Sequence, residues 1–394
     1  MPAEAAATVQ PAEAEQFQTS QVVAIAAGHA VHDTYTAFLS PLLPIFIENL
    51  SLSKTEAGLL TVFNQGPSLL QPLIGHLADR VSLRTLVVLT PAVTATVMSL
   101  LGLAPSYAVL ALLLTVVGLS SATLHAVAPV IAGRLSGKSL GRGMGFWMLG
   151  GELGRTLGPL AIVTAIEFLG LEGTSWLMIG GWLTSALLFL RLRDVEGRPA
   201  SAGQGLPWRQ ALGVMGPLLV PLVGIIFVRS FMSAALTTYL PVFLTEEGAD
   251  LWFAGVSLSV LEVAGVVGAL VGGSLSDRLG RRTILLISMA VTPFLMLAFV
   301  AVDGWAQFPL LLAMGLTALS ITPVIMALVQ ESFPENRSLA NGVYMALSFG
   351  IRSGVVVVVG AMADLWGMRP AFIASAIIPL LGLPFLLLLP PRSR

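Results

Sequence analysis

The sequence contains no cysteine and few charged side chains. Asp, Glu, Lys and Arg make up 10% of the 394 residues, whereas an average soluble domain is nearer a quarter charged. The lack of cysteine excludes disulfides, thiolate metal ligands and catalytic thiols. The low charge and a mean hydropathy of +0.89 exclude a soluble enzyme, a disordered protein and a nucleic-acid binder.

Two further absences bear on energy supply and chemistry. The sequence has no complete Gly-x-x-x-x-Gly-Lys-Ser/Thr loop that would cradle a phosphate, so ATP is not predicted to be the direct energy source. The four histidines are scattered along the chain, and no metal site, cofactor or catalytic set is predicted. The net charge of −1 gives no overall field that would attract an acidic partner.

Long apolar runs fill most of the chain. A membrane-spanning helix needs about 20 such residues, and these runs are longer and more continuous than the alternating strands of a membrane barrel. Because lipid offers no water to satisfy a free backbone, the runs are predicted to be helices. The predicted spans are 21–47, 56–78, 84–104, 107–133, 141–165, 174–192, 211–241, 251–275, 283–302, 305–329, 338–363 and 370–390.

The spans predict an all-α membrane protein with twelve transmembrane helices in two pseudo-symmetric six-helix bundles. The bundles are expected over 21–192 and 211–390, joined by a cytoplasmic linker over 193–210 and followed by a cytoplasmic C-terminus over 391–394. Residues 1–20 are rich in Ala, Glu and Gln and contain no Lys or Arg. This predicts a disordered cytoplasmic tail rather than a cleavable signal peptide.

The basic residues predict the orientation in the membrane. One set of loops carries fifteen of them, and the opposite set carries only Lys54 and Arg369. Because Lys and Arg collect in cytoplasmic loops, both termini and the linker are expected in the cytoplasm, and the protein in the inner (cytoplasmic) membrane. The fifteen are Arg80, Arg84, Arg134, Lys138, Arg142, Arg191, Arg193, Arg198, Arg209, Arg278, Arg281, Arg282, Arg337, Arg392 and Arg394.

The two halves of the chain resemble each other at an offset of 197 residues. The register is kept by a rare intramembrane arginine, since Arg155 corresponds to Arg352. Parallel halves of six helices are a known transporter plan, with the binding site at the interface near the midplane. Other matches are Pro44 with Pro241, Gly58 with Gly255, Gly118 with Gly315, Gly145 with Gly342, Trp147 with Tyr344 and Met148 with Met345.

A repeated loop motif follows the second and eighth spans. The first copy contains Gly75, Asp79, Arg80 and Arg84, and the second contains Gly273, Asp277, Arg278, Arg281 and Arg282. These motifs resemble the cytoplasmic signature of the major facilitator superfamily, which implies a transporter that works by alternating access. We predict a gate at which Asp and Arg latch the cytoplasmic face closed. The alternative is ordinary anchoring by positive loops.

Within that superfamily the first half resembles the fosmidomycin-resistance group, which implies drug efflux by proton exchange. The resemblance rests on residues 29–44, 57–80, 120–125 and 150–159. The last stretch has glycines at 150, 154 and 158 before Pro159, similar to the antiporter motif, or else a site of close helix packing. Three departures from the pattern are present. Ile162 and Val163 stand where the antiporter motif has two more glycines, and Leu114 stands where such exchangers carry a basic residue. Ala126 and Val127 stand where the fosmidomycin-resistance group has Pro and Glu.

Ionisable residues within the apolar runs are the candidate proton-coupling groups, because a charge at bilayer depth is costly unless it is paired or hydrated. His29, His32 and Asp33 lie within about one helical turn, where a carboxylate beside imidazoles can titrate near neutral pH. Glu262 and His125 complete the set. The alternative role is a static bridge that holds helices together.

Eight residues are candidates for substrate binding. Arg155 and Arg352 are predicted near the midplane, where guanidinium groups can hold an organic anion, although Glu152 is placed to neutralise Arg155. Arg229 is expected to bridge Asp33, because helices one and seven correspond in the repeat. Trp147 and Tyr344 are aromatic walls or packing residues, and Asn64 and Gln65 precede a helix bend at Gly66–Pro67.

Together these features predict proton-coupled efflux of a small organic molecule or drug by a monomer in the lipid bilayer. Its partners are the small-molecule substrate and protons. One alternative is a uniporter or symporter of an organic anion clamped by Arg155 and Arg352. An alternative of another class is a non-transporting membrane receptor or scaffold.

Overall fold

The structure is a computed structural model that describes residues 16–78, 82, 84–137, 139–195, 208–319, 321–333 and 337–389. Most of the predicted tail and linker, the predicted C-terminus, Asp79 and Arg80 lie outside these residues. Every regular element within them is helical. The α-helices are α1 Thr19–Thr36, α2 Leu39–Leu50, α3 Lys54–Gln65, α4 Gln71–Ala78, α5 Arg84–Ser99, α6 Tyr107–Leu135, α7 Leu140–Gly173, α8 Met178–Leu192, α9 Trp208–Ala234, α10 Leu240–Glu246, α11 Leu251–Leu279, α12 Arg281–Val300, α13 Gln307–Ala318, α14 Ile321–Ser332, α15 Arg337–Trp366, α16 Met368–Ile377 and α17 Leu383–Leu387.

Short 3-10 or π-helical segments join several of these α-helices into longer continuous helices. The 3-10 segments are Gly66–Leu70, Leu101–Leu103, Thr174–Leu177, Gly304–Ala306 and Ile378–Gly382, and Ala235–Tyr239 is a π-helical segment. The predicted bend at Gly66 and Pro67 is therefore a 3-10 turn between α3 and α4. Such turns are common where proline or glycine interrupts a helix.

Nine segments of the described chain are long and apolar enough to cross a membrane. This confirms an all-helical membrane protein. One of them, Gly141–Leu192, covers two predicted spans, which meet at Gly170 in a left-handed conformation with φ of +71°. The predicted first span is divided into α1 and α2 by residues 37 and 38. The count of twelve spans stays a prediction.

Sequence signals at the helix ends explain several boundaries. Ser53 and Glu56 form a reciprocal capping box at the start of α3, which satisfies two backbone N–H groups. Asp250 caps α11 by accepting a hydrogen bond of 2.6 Å from the backbone N–H of Phe253. Gly367, at φ of +90°, makes the sharp reversal between α15 and α16, a conformation that glycine adopts without steric cost.

Buried apolar side chains form three clusters that show how the two halves of the chain meet. The largest combines both halves, with Phe38 and Leu60 from the first and Tyr239 and Phe243 from the second. The second cluster contains only residues from 215 to 389, and the third only residues from 22 to 192. The halves therefore share a core at one end of the molecule and have separate cores toward the other.

These two ends differ in charge. The shared core lies toward the end that carries Lys54, Glu247 and Arg369, which we call the arginine-poor end. The separate cores lie toward the end that carries Arg84 and Arg281, which we call the arginine-rich end.

Three glycines bring α7 against α1. A Cβ atom added at Gly150, Gly154 or Gly158 would collide with a backbone carbonyl oxygen of α1, from Ala26, Ala30 or Thr34 respectively. The row of glycines that resembles an antiporter motif thus permits backbone contact between the two helices, as small residues do in membrane proteins. This contact places α7 directly over the ionisable residues of α1.

Candidate functional site

Three of the predicted proton-coupling residues meet in one cluster. His29 Nε2 lies 3.3 Å from Asp33 Oδ2 and 3.2 Å from His125 Nε2. His125 Nε2 lies 3.8 Å from Asp33 Oδ1. The prediction that the histidines are too scattered to form a metal site is wrong, because helices α1 and α6 bring the ligand atoms of His29, Asp33 and His125 within 4.8 Å of one another. We call these three residues the His–Asp cluster.

The backbone sets the tautomer of both histidines in this cluster. His29 Nδ1 is 2.9 Å from the carbonyl oxygen of Trp147, and His125 Nδ1 is 2.9 Å from that of Ser121. A carbonyl oxygen only accepts hydrogen bonds, so each Nδ1 carries a hydrogen and donates it. In the neutral form of each ring, Nε2 then presents a lone pair toward the Asp33 carboxylate.

The cluster is buried on one side and reachable on the other. The side chains of His29 and Asp33 are 5% and 7% exposed, whereas that of His125 is 32% exposed. His32 is fully buried beside them, with its ring centroid 6.0 Å from that of His125. The predicted neighbourhood of Asp33, His29 and His32 is therefore present, and His125, which the sequence did not place beside them, lies on its accessible side.

Helix α7 forms the back of this cluster. A Cβ atom on Gly151 would lie 2.5 Å from His29 Cε1 and 3.2 Å from Asp33 Oδ2, so only glycine leaves room for these side chains. Trp147 stacks on His29 with ring centroids 3.6 Å apart and is buried. This stacking agrees with the packing alternative for Trp147, and its role as an aromatic wall stays a prediction.

A second cluster of charges contains Glu152, Arg155 and Glu262. Arg155 forms an ion pair with Glu152 one turn earlier in α7, and its Nε lies 3.9 Å from Glu262 Oε2 on α11. Arg155 therefore links the two halves of the chain while it is neutralised on its own helix. Its side chain is 45% exposed, which leaves it accessible to a ligand.

Arg352 approaches the same cluster from α15. Its Nη2 donates a hydrogen bond of 2.8 Å to Thr237 Oγ1 in the π-helical segment, and its Nε is buried without a hydrogen-bond partner in the described chain. Both Glu262 and Arg155 interact with its charge. The structure thus brings Arg155, Glu262 and Arg352 into one electrostatic group across the interface of the halves.

Arg229 does not bridge Asp33 as predicted. Its Nη2 donates to the carbonyl oxygen of Ala318 at 3.0 Å and approaches Thr322 Oγ1 at 3.4 Å. These partners lie within the second half, while Asp33 is paired with histidines of the first. Tyr344 is 2% exposed and interacts with Arg229, which agrees with the packing alternative, and its role as an aromatic wall stays a prediction.

Asn64 and Gln65 end helix α3 and are half-buried. The bend that follows them packs against α6, where an added Cβ atom on Gly118 would lie 2.5 Å from the Asn64 carbonyl oxygen and 2.7 Å from Pro67. The backbone of this bend therefore has a packing role, and the cargo-binding role of the two side chains stays a prediction.

Two motif residues at the arginine-rich end, Arg84 and Arg281, form bonds within their own half. Arg84 donates hydrogen bonds to the carbonyl oxygens of Leu192 and Arg193 at the end of α8. Arg281 Nη2 lies 2.5 Å from Asp277 Oδ1 and 2.7 Å from Glu331 Oε1. These bonds stabilise the loops of one half. The latch between the two halves stays a prediction, because Asp79 and Arg80 lie outside the described residues. Arg278 and Arg282 are exposed, Gly75 lies in α4 and Gly273 in α11.

Further contacts between the halves lie at the arginine-poor end and were missed from the sequence. Lys54 Nζ is 2.8 Å from Glu246 Oε1, and Ser40 donates to the Thr237 carbonyl oxygen at 2.9 Å. The Tyr239 hydroxyl lies 2.9 Å from the carbonyl oxygen of Lys54 and 3.0 Å from that of Val356. Only the capping box at Ser53 gave a signal that a helix begins there.

Comparison with known proteins gives one family. The sequence profile of the family named Major Facilitator Superfamily matches residues 25–351 and 263–394. The fosmidomycin resistance protein of Escherichia coli strain K12 is 25% identical over 371 residues, which cover 91% of this chain and 90% of that protein. The class G tetracycline resistance protein of Vibrio anguillarum is 27% identical over 382 residues, covering 88% and 92%. The resemblance predicted from the motifs is confirmed.

Solved structures share the fold at low identity. A bacterial homolog of the human lysosomal transporter Spinster, in an inward-facing and occupied conformation, superposes with a TM-score of 0.79 at 16% identity and covers 94% of this chain and 96% of its own. A D-xylose–proton symporter gives 0.75 at 15% identity, covering 95% and 98%. At this identity the likeness concerns the fold alone.

Proposed function

The chain belongs to the Major Facilitator Superfamily, which makes it a multi-pass membrane transporter and not an enzyme, and we propose on this premise that it exports a small organic molecule or drug in exchange for protons. Two relatives are named for resistance to antibiotics, which supports export as the direction. The His–Asp cluster carries the proposal, because it offers a buried site that can bind and release a proton.

Within this proposal the chain is a monomer of twelve spanning helices in two six-helix bundles, with both termini in the cytoplasm. The imbalance of fifteen basic residues against two supports the orientation. The shared core at the arginine-poor end and the separate cores at the other support a cavity between the bundles that is open to the cytoplasm. Alternating access requires that the same bundles also part at the arginine-poor end.

Proton binding follows from the geometry of the His–Asp cluster. Three electron-rich groups face one another: Nε2 of His29, Nε2 of His125 and the carboxylate of Asp33. A single proton among them is shared by two imidazoles and a carboxylate, and its release leaves their lone pairs in mutual repulsion. His125, the partly exposed member, is the entry and exit point for the proton.

Coupling to cargo is assigned to the charges of the second cluster. Arg155 is on α7, one turn beyond Gly151, which contacts His29 and Asp33, and it pairs with Glu152 and Glu262. Cargo that binds Arg155 competes with these carboxylates, and the freed carboxylate changes the charge near Asp33. A proton that enters down 100 mV supplies about 2.3 kcal/mol, enough for roughly a 50-fold gradient of a neutral cargo, since each tenfold step costs about 1.36 kcal/mol.

The proposal is tested by measuring transport in proteoliposomes with and without an imposed pH gradient. The cargoes are fosmidomycin and tetracycline, to which the two relatives are named as giving resistance. Proton-driven accumulation is expected for the parent chain and is expected to be lost in Asp33→Asn, which removes the charge but keeps the shape. Asp194→Asn is the matched control, because that carboxylate is 86% exposed. Transport that ignores the pH gradient in the parent chain contradicts the antiport mechanism.

One observation favours a second candidate, a uniporter or symporter of an organic anion. Arg352 has a buried Nε without a partner in the described chain, and Arg155 is half exposed nearby, so the two guanidinium groups could clamp a carboxylate or phosphonate. Replacing both arginines by glutamine distinguishes the cases. Loss of anion binding with an intact proton response favours the clamp. A receptor or scaffold, in contrast, gives no substrate flux in any variant.

A further inference from the structure

The spacing of the three ligand atoms in the His–Asp cluster matches a metal site. Zinc binds histidine nitrogen at about 2.0–2.1 Å in a tetrahedral arrangement, so two of its ligand atoms lie about 3.3 Å apart. His29 Nε2 is 3.2 Å from His125 Nε2 and 3.3 Å from Asp33 Oδ2. Asp33 approaches His125 through its other carboxylate oxygen, with Oδ1 3.8 Å from His125 Nε2, so the carboxylate faces both rings.

The hydrogen bonds made by the other nitrogen of each histidine are also those of a metal site. A histidine that binds metal through one nitrogen almost always donates its other N–H to a carbonyl or carboxylate. Both rings do so here, His29 to Trp147 and His125 to Ser121. Both Nε2 lone pairs are thereby fixed toward the Asp33 carboxylate, and a cation among them removes their mutual repulsion.

A route for an ion exists, because His125 is one-third exposed while His29 and Asp33 are buried. Three protein ligands leave a fourth tetrahedral position for water on the side of His125. Two imidazoles and one carboxylate suit zinc and its transition-metal neighbours, whereas magnesium and calcium prefer sites made of oxygen ligands.

We propose that His29, Asp33 and His125 bind one divalent transition-metal ion, with zinc as the best fit, in competition with protons. Each ligand must be deprotonated before it can bind a metal, so acid weakens binding. If the proposed function is correct, the ion occupies the atoms that carry the proton, and zinc inhibits proton-driven transport. Metal binding itself does not depend on that function.

The test uses the full chain, purified in detergent without a histidine tag, and titrated with Co²⁺ while the visible absorption of tetrahedral cobalt is recorded. One Co²⁺ per chain is expected, displaced by Zn²⁺ but not by Mg²⁺ or Ca²⁺. His29→Gln, Asp33→Asn and His125→Gln should each weaken binding by at least about 10-fold. Lowering the pH from about 7.5 to about 5.5 should weaken it in the parent chain.

His76→Gln is the matched control, since His76 is the one histidine of the sequence that is on neither α1 nor α6, and it should retain binding. His125→Gln is the decisive variant, because its partly exposed side chain is the least disruptive to replace. No binding by the parent chain, or equal binding by His125→Gln, overturns the proposal. Cobalt binding without pH-driven transport overturns the proposed function and leaves the metal site standing; the reverse result overturns only the metal site.

Discussion

The carboxylate of Asp364, near the end of α15, accepts hydrogen bonds from the backbone N–H groups of Lys54 and Thr55 at the start of α3, at 2.7 and 2.9 Å. The Thr55 hydroxyl donates to the same carboxylate at 2.5 Å. A side chain of the second half thus caps a helix of the first half, where a negative charge also interacts favourably with the helix dipole. This cap has to break whenever the arginine-poor end opens.

Replacing Asp364 by asparagine should therefore favour the state that is open at the arginine-poor end. Asparagine keeps one acceptor oxygen but loses the negative charge at the helix start and the acceptor of the Thr55 hydrogen bonds. This loss costs about 1 kcal/mol, which corresponds to about a fivefold larger open population. The sequence contains no cysteine, so Val163→Cys gives a clean probe. Val163 is 2% exposed, and its side chain packs against Gly255 of α11 in the other half.

The measurement is the rate at which a maleimide labels Val163→Cys with and without Asp364→Asn. Labelling should be about fivefold faster in the double variant if the two states exchange rapidly. Asp303→Asn serves as the control, because that carboxylate is at the same end and is 82% exposed. Equal labelling rates in the two backgrounds would show that the cap does not hold this end closed.

The glycines of α7 allow a second prediction, on stability. Gly154→Ala places a methyl group against the Ala30 carbonyl oxygen and 2.7 Å from Asp33 Cβ, so α1 and α7 must separate. Overpacking of this kind costs about 1–3 kcal/mol, and the melting temperature in detergent should fall. Gly145→Ala is the control on the same helix, since nothing lies within 4 Å of its added Cβ atom, and it should be neutral or stabilising. A fall of equal size in both variants would point to a general intolerance of alanine in α7.

The sequence predicted which site residues share a face of one helix better than it predicted which side chains of different helices meet. His29 and Asp33 are four residues apart, which places them on one face of any α-helix, and the structure confirms their contact. His125 joins them only because α6 packs beside α1, and no local pattern in the sequence specifies which side chains of two packed helices meet.

Arg229 shows why the internal repeat misled the prediction. Helices one and seven correspond by symmetry, but subtracting the offset of 197 places Arg229 at His32 and not at Asp33. His32 and Arg229 are both turned into their own half, and each has a buried nitrogen without a hydrogen-bond partner in the described chain. A repeat relates positions on a helix, and adjacent positions face about 100° apart.

Acid should weaken one ion pair at the arginine-poor end. Arg369 Nη2 and Nε lie 2.5 and 3.1 Å from the two carboxylate oxygens of Glu247, and this hydrogen bonding and charge lower the pKa of Glu247 below its usual value. A lowered folded-state pKa stabilises the fold above the unfolded-state pKa of about 4.3. That stability is lost as the pH falls through the lowered value.

The measurement is the melting temperature of the parent chain and of Glu247→Gln from about pH 7 to about pH 3. The variant should be slightly less stable near neutral pH, and the two curves should converge in acid. Because the pair is partly exposed, added salt should also reduce the difference. A gap that persists at the lowest pH would mean that Glu247 stabilises the protein by packing and not by charge.

Glu262→Gln tests which cargo the second cluster accepts. Glu262 is the acidic residue that interacts with the charges of both Arg155 and Arg352, so its neutralisation leaves Arg352 without an acidic partner among these residues. An anionic ligand can then form charge-assisted hydrogen bonds without first displacing a carboxylate. Thermal stabilisation by a phosphonate or carboxylate ligand should therefore appear at about 10-fold lower concentration in the variant.

Glu167→Gln, an exposed position on α7, is the control and should behave as the parent chain. If anionic ligands stabilise neither protein while neutral or cationic drugs stabilise both, the two arginines are structural partners of Glu152 and Glu262, and the anion clamp is excluded as the basis of transport.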